Sequence, residues 1–538
     1  MIFYLIPFML IFFFFHFFLF YFFPYMGEDF ASLLPPAFEM ADYMKSNLGI
    51  MQWSRMCGGL PYFAFPQSSQ FSFFTFFTMF FSPKYSWIFT QSIFILGGYL
   101  GTYLFVTKIL KYTKDVAHCT SLLFISIGFN FAHLAVGHSN FMNILWIPLI
   151  LYFLYSNGHT ILAALLSSSF VYQGSFFTTP LLFANILFFY FFYRKIPFKK
   201  ILLFGVLFFL FSLVKLYGNV LLVPLVKHDY ILPYFNKAFN ALKTSISMLF
   251  FPSFYQFLGE FKWQSNWAEV NHFISPVALV PIVFYLRYNK VQLSLKSIII
   301  GIICLLIMLL SGAYVHSVQL LHKIPVLKNY WVVQRDLSLL IIPIIFVFSH
   351  CFHHTIKYFN PRIFSVLIAL SFIVNFYILF NMADKNKLSM NYRVPEKYFS
   401  NPIPKIPKQF SIDHYSGTYA TDFKEFQGIV NATCYDVTFG FHHEGFKSKV
   451  LNGSILNRLP NNAKYFNFRH PACLIYPKEN DCSPWDNVLV SDRENLDLFL
   501  ENKQNSWKIG QFQRIAQWVS GLSILIGVII VVFYKETV

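Results

Sequence analysis

Two adjacent carboxylates, Glu28 and Asp29, follow the first apolar stretch of the chain in the run Gly27-Glu28-Asp29-Phe30. That position puts acid at a membrane–water boundary. A carboxylate there can take a proton from an acceptor hydroxyl, or hold a divalent cation such as Mg or Mn against a phosphate. The plainer reading is that the two acids only solvate a helix end. Cations suited to a phosphate recur further on: Arg55, Lys227, Lys262, Lys323 and Arg335 all lie between apolar stretches. Arginine fits phosphate best, because its planar fork donates two parallel hydrogen bonds. This puts Arg335 first among them. The commoner fate of a lone Lys or Arg near a helix end is to snorkel to the headgroups.

Three histidines fall on segments of the same kind. His138 sits in the short run Gly137-His138-Ser139-Asn140, His228 stands between Lys227 and Asp229, and His272 comes shortly after Glu269. Each can orient a phosphate or a sugar, or pass a proton, while a hydrogen-bonded structural histidine is the ordinary alternative. His442-His443-Glu444 makes a poor metal cluster, since neighbours on a strand point to opposite faces. Trp263, Trp267, Tyr330 and Trp331 are candidates for stacking on a sugar, yet aromatics gather at membrane interfaces in any case. The chain has no Walker A loop, no dinucleotide fingerprint and no C-x-x-C pair.

The elements that must position these residues are membrane helices. The chain has 538 residues, 56% hydrophobic and 12% charged, with a mean hydropathy of +0.52. A soluble protein would carry roughly a quarter charged residues. Runs of about 20 apolar residues, the length that crosses a bilayer, predict about twelve transmembrane helices. They lie near Ile2–Phe23, Trp87–Leu110, His118–Val136, Phe141–Tyr155, Thr160–Phe176 and Leu181–Tyr193. The rest lie near Ile201–Val226, Phe273–Leu286, Ile298–Gly312, Leu337–Phe352, Ile363–Met382 and Ile515–Tyr534. The first has neither a basic leader nor a small-residue cleavage site and reads as a retained helix.

With the N-terminus cytoplasmic, the inner connections hold Lys108, Lys111 and Lys114, then Arg194, Lys195, Lys199 and Lys200. Arg287, Lys290 and Lys296 follow, then Lys357 and Arg362, with Lys535 in the tail. Only the inner connection around Asn157–His159 lacks a cation; the rest obeys the positive-inside rule and puts both termini inside. It also accounts for much of the net charge of +17. No basic stripe with interleaved aromatics remains, which argues against nucleic acid as a partner.

Every long segment is then outside: 24–86, 227–272, 313–336 and 383–514. The domain reading is a transmembrane module over 1–382, an extracytoplasmic soluble domain over 383–514, and a last helix with a short tail over 515–538. The outer domain shows strand-like stretches (Ile429–Phe441, Cys473–Tyr476, Val488–Val490) and a helical pattern near Asn495–Leu500, predicting a small α/β fold. Cys57, Cys434, Cys473 and Cys482 fall on the outer side, where disulfides persist. Cys473 and Cys482 are the preferred pair, with two free thiols the alternative. Asn431-Ala432-Thr433 and Asn452-Gly453-Ser454 are sequons in the same domain.

Several motifs combine into a resemblance. An acid follows the first helix. The next segment carries Gln52-Trp53-Ser54-Arg55 and Gly58-Gly59-Leu60-Pro61, and Phe81-Ser82-Pro83 opens the second helix. Gly137-His138-Ser139-Asn140 forms a short outer turn, and Ile324-Pro325-Val326 leads through Trp331 to Arg335. Together, scattered over residues 1–350, these resemble bacterial GT-C membrane glycosyltransferases, in particular the YfhO-type branch. Asp336 directly after Arg335 departs from that pattern.

The resemblance implies a GT-C-like bundle in a bacterial inner membrane. Its implied reaction is inverting transfer from a polyprenyl-phosphate sugar to an acceptor on the outer face. Asp29 would be base or metal ligand with Glu28 beside it, and Arg55, His138, His228, Trp263 and Arg335 would bind substrate. Membrane lipids are the remaining partner. A transporter or lipid flippase is the first rival reading, weakened by the near absence of Asp and Glu inside the predicted spans. A non-catalytic subunit with a partner-binding outer domain is the second.

Overall fold

In lipid a backbone has no hydrogen-bond partner but itself, so long uncharged runs of Phe, Leu and Ile fold as helices. A computed structural model describes residues 2–22, 37–41, 43–45, 62–66, 68–156, 158–175, 177–193, 196–222, 235–251, 271–289, 294–323, 333–385, 409–411, 429–431, 475–476, 478–481 and 508–533. These residues are mostly helical. In chain order the helices are α1 (Ile2–Phe22), α2 (Phe73–Thr78), α3 (Pro83–Leu104), α4 (Lys114–Ile125), α5 (Gly128–Val136), α6 (Ile147–Tyr155), α7 (Thr160–Tyr172) and α8 (Thr178–Phe192). They continue with α9 (Phe198–Leu222), α10 (Ala238–Phe250), α11 (Leu279–Tyr288), α12 (Leu295–Ser311), α13 (Val315–His322), α14 (Ser338–Thr355), α15 (Pro361–Lys385) and α16 (Gln511–Phe533).

Five helical stretches among the described residues are long and apolar enough to cross a membrane: Lys84–Ile109, Lys114–Leu134, Phe198–Leu221, Val333–Tyr358 and Gln511–Phe533. The protein is an α-helical integral membrane protein. Several expected spans are shorter or broken. The expected Phe141–Tyr155 helix is a 3-10 segment, Ser139–Trp146, followed by α6. The expected His118–Val136 helix divides at Ser126–Ile127, where the Gly128 amide turns aside to donate to the Phe273 carbonyl at 2.8 Å. A Cβ at Gly128 would stand 2.6 Å from that of Phe273, so only glycine admits this crossing strand of chain. Helix α10 is a short amphipathic run with Lys243 and several hydroxyls, and it falls outside every expected span.

Contacts between helix ends divide the bundle into two poles. At one, the Tyr112 hydroxyl meets His350 Nδ1 at 2.9 Å and its ring stacks on His353. Burial pushes that hydroxyl up to about 12, so it stays protonated. At the same pole Tyr4 donates to Asp115, Arg362 covers the Phe3 ring, Tyr285 packs edge-on against His350, Tyr193 donates to the Ile109 carbonyl and Lys200 to that of Ser156. The short connections α3–α4, α6–α7, α8–α9 and α14–α15 therefore share this pole. Phe15 packs on Phe131 and Phe372, so α1, α5 and α15 run on together to the opposite pole. The C-terminal end of α1, from which residues 23–36 depart, lies there.

Close packing in the middle depends on glycine. Gly97 and Gly101 on α3 form a small-xxx-small face against Trp146 and Leu149, letting two backbones approach as lipid-embedded helices do. A buried cation stabilises the far pole. Lys215 on α9 is 1% exposed and donates to the Phe63 and Phe65 carbonyls at 3.0 and 2.6 Å and to Ser68 Oγ at 2.6 Å. Three donors meet three acceptors, which fixes the segment around 62–68 to α9.

Of the expected outer domain, the described residues include one parallel pair, β1 (Gln409–Ser411) with β2 (Ile429–Asn431), in register Gln409↔Ile429. The second strand coincides with the start of the expected Ile429–Phe441 strand. At the end of the expected Cys473–Tyr476 strand the described backbone is turn and irregular instead. Tyr476 is buried against Leu221 and Ile509, and Asn480 Nδ2 donates to the Tyr476 and Lys508 carbonyls, closing a turn over the start of α16. Burial raises the Tyr476 hydroxyl above its ordinary value. Cys57, Cys434, Cys473 and Cys482, with Val488–Val490 and Asn495–Leu500, lie outside the described residues.

Candidate functional site

Helix α5 ends in a tight reversal. Gly137 takes a left-handed conformation (φ 106°), which L-residues with a Cβ rarely adopt. The His138 amide can then donate to the His133 carbonyl at 2.9 Å, a Schellman-type closure. The chain doubles back, and the His138 ring returns over the ring one turn earlier. Nδ1 of His133 and Nδ1 of His138 stand 2.9 Å apart. One must donate and the other accept, so at most one of the two nitrogens is a bare acceptor at a time.

Phe141, on the 3-10 segment that follows, stacks on both rings, at centroid distances of 4.1 Å from His133 and 5.2 Å from His138. Arg335 arrives from a separate part of the chain, on the 3-10 turn Val333–Leu337 that leads into α14. Its guanidinium lies 5.0 Å from the Phe141 centroid and 6.0 Å from that of Phe177. His272, on the strand of chain that crosses the α4–α5 break, shares the Phe129 ring with His133. Arg335, His138 and His272 all lie within electrostatic range of His133. His133 and His272 are fully buried and His138 is 9% exposed.

Amide and hydroxyl groups surround this centre. Asn140 donates to the Gly174 carbonyl, Asn143 to Ser175 Oγ, and Ser175 to the Asn140 carbonyl. Asn140 Oδ1, Asn143 Oδ1, Gln173 Nε2 and both side-chain polar atoms of Asn130 are buried and have no hydrogen-bond partner among the described residues. Buried polar atoms are nearly always satisfied, so such a group is suited to water or ligand hydroxyls.

The structure thus brings three of the sequence candidates, His138, His272 and Arg335, into one cluster. Glu28, Asp29, Arg55, His228 and Trp263 lie outside the described residues, as do Lys227, Lys262, Trp267, Tyr330 and Trp331. Lys323 ends α13 as its C-cap, and nothing described connects it to the cluster. Among the described residues no group of three or more His, Cys, Asp or Glu side chains is arranged to hold a metal ion. Three imidazoles beside a guanidinium suit an anion better than a cation. Asp29, the residue the sequence nominates for a metal, is not among them.

His133, Asn143 and Lys215 escaped the sequence reading. His133 had a signal: it stands five residues before His138 with the helix-ending Gly137 between them. Lys215 had one too, as a lone cation deep in the apolar run of α9.

No protein-family model, curated protein or solved structure matches the chain. The cluster is therefore read from its own chemistry.

Proposed function

We propose that the chain is a membrane glycosyltransferase of the GT-C kind, moving a sugar with inversion from a polyprenyl-phosphate donor to an extracytoplasmic acceptor. The observation that carries the reading is the seat of Arg335, its guanidinium over two phenylalanine rings beside the His133–His138 pair. This lies towards the pole from which the segment bearing Glu28 and Asp29 departs. The lysine- and arginine-rich short connections gather at the other pole, which on the positive-inside rule is cytoplasmic. About twelve crossings, both termini inside and a small outer α/β domain over 383–514 belong to this reading.

In the reaction Asp29 takes the proton of the acceptor hydroxyl. The acceptor oxygen attacks the anomeric carbon, and the bond from that carbon to the phosphate oxygen breaks. The leaving polyprenyl phosphate gains a negative charge, which a bidentate guanidinium stabilises more strongly than it does the diester donor. His138 and His133 can donate to the same oxygens. The amides of Asn140 and Asn143 are placed to read sugar hydroxyls. Glu28 and Asp29 are the residues that would hold a divalent cation, which would screen phosphate charge. Arg55, His228 and Trp263 complete the proposed substrate contacts.

The test is donor binding. Purified wild-type protein and Arg335→Gln are titrated with a polyprenyl phosphate of short chain, and bound lipid is read by native mass spectrometry. Loss of at least about tenfold in affinity in the variant is expected, since charged hydrogen bonds are worth roughly 1.5–3 kcal/mol. Equal binding by both proteins would remove Arg335 from phosphate recognition.

A further inference from the structure

The cation-rich pole holds an open cavity of about 590 Å³ that sugar transfer does not use. It lies between the start of α1, the start of α4 and the α14–α15 connection, lined by Phe3, Tyr4, Asp115, Lys357, Asn360 and Arg362 among others. The two cations are held rather than loose. Arg362 lies 4.5 Å from the Phe3 centroid and Lys357 5.0 Å from that of Tyr358. Among the described residues neither forms an ion pair. Asn360 Oδ1 accepts from the Arg362 amide and fixes where that side chain leaves the backbone.

Asp115 faces the same cavity and already accepts a hydrogen bond from Tyr4 at 2.7 Å. Two aromatic rings of the lining are open to the outside: Phe3 and Tyr358 are each 55% exposed. Cations, one acceptor and an exposed apolar rim at a helix-bundle end are the pattern of a lipid-headgroup site.

We propose that this cavity binds an anionic glycerophospholipid, its phosphate held by Lys357 and Arg362. Its lining side chains include two cations and one carboxylate, an excess of positive charge that suits a lipid phosphate. Asp115 is placed to accept from a headgroup hydroxyl, as on a phosphatidylglycerol. Phe3 and Tyr358 border the glycerol and upper acyl chain. Free phosphate has the same charged group but nothing to cover the rim. The site is independent of the sugar-transfer reading, because it lies at the other pole of the bundle.

The experiment follows thermal unfolding of the full chain in detergent against dioctanoyl phosphatidylglycerol, dioctanoyl phosphatidylcholine and inorganic phosphate. The first raises the midpoint saturably, and the other two do not. In Lys357→Gln/Arg362→Gln the half-saturating concentration rises at least about tenfold, as loss of two charged contacts requires. Both side chains are exposed, so the variant keeps its fold, checked by an unchanged elution volume. Lys108→Gln/Lys111→Gln, at the same pole but outside the cavity, leaves binding unchanged. An unaltered response of the cavity variant, or an equal loss in the control pair, would overturn the proposal. Equal stabilisation by inorganic phosphate would assign the cavity to a soluble anion and overturn the lipid assignment.

Discussion

Replacing Gly101 by alanine probes the packing on which the bundle depends. An added Cβ there would meet Leu149 Cβ at 2.5 Å, its amide nitrogen at 2.6 Å and its Cα at 2.7 Å. Ordinary contact begins near 3.4 Å, so α3 and α6 must separate by several tenths of an ångström to nearly 1 Å. Two of the three atoms are backbone and cannot rotate away. Overpacking of this kind costs about 1–3 kcal/mol, and the immovable neighbours put Gly101 in the upper half of that range. Alanine recovers about 1 kcal/mol of helix propensity. The net expectation is a loss of about 1–2 kcal/mol.

Gly301 on α12 is the matched control, because nothing lies within 4 Å of the position its Cβ would take. There only the propensity gain remains. Both variants are unfolded thermally in the same detergent, with monodisperse protein after heating as the readout. Gly101→Ala falls below wild type and Gly301→Ala matches or exceeds it. A Gly101→Ala protein as stable as Gly301→Ala would refute the claimed α3–α6 approach.

Lys215→Met removes the ammonium donor shared by the Phe63 and Phe65 carbonyls and the Ser68 hydroxyl; Phe65 keeps the Ser68 amide, and each acceptor left unsatisfied costs roughly 1–3 kcal/mol. Limited proteolysis should cut around residues 62–68 faster in that variant, and an unchanged digestion pattern would contradict the assigned role. Arg335→Lys keeps the charge but loses the fork and most of the stacking on Phe141 and Phe177. Sugar-transfer kcat/KM should fall by roughly tenfold or more, and a value equal to wild type would count against a bidentate role. Tyr476→Ala removes the ring that packs on Leu221 and Ile509 and the hydroxyl bonded to Gln513 at 3.3 Å. Hydrogen exchange of the amides at the start of α16 should then quicken, and unchanged protection would mean the ring does not hold that end.

Hydropathy made the helices legible, because a 20-residue apolar run has few other fates in a membrane protein. Legibility failed where the backbone is irregular inside the bundle. The break at Ser126–Ile127 needs the distant Phe273 carbonyl, and the one local sign, Gly128, does not say what it meets. Arg335 and His138 were both visible as chemistry, but their meeting was not, since about 200 residues separate them in the sequence. The pairing of His133 with His138 is only hinted at by the Gly137 between them, and it takes the left-handed reversal there to fold one ring onto the other. Lys215 stands out as a lone cation in an apolar run, but its partners do not, because they are neutral oxygens of a distant segment rather than an acid.

The central claim is that an acid of the first outer segment serves sugar transfer at the pole where Arg335 sits. Its most direct test is turnover of a radiolabelled panel of polyprenyl-phosphate sugars by purified wild-type protein and Asp29→Asn, with an envelope extract as acceptor. The account predicts sugar release by the wild type and its loss in Asp29→Asn, with unchanged elution and thermal midpoint in the variant. Full turnover in Asp29→Asn, or none from any donor with wild-type protein, would contradict it.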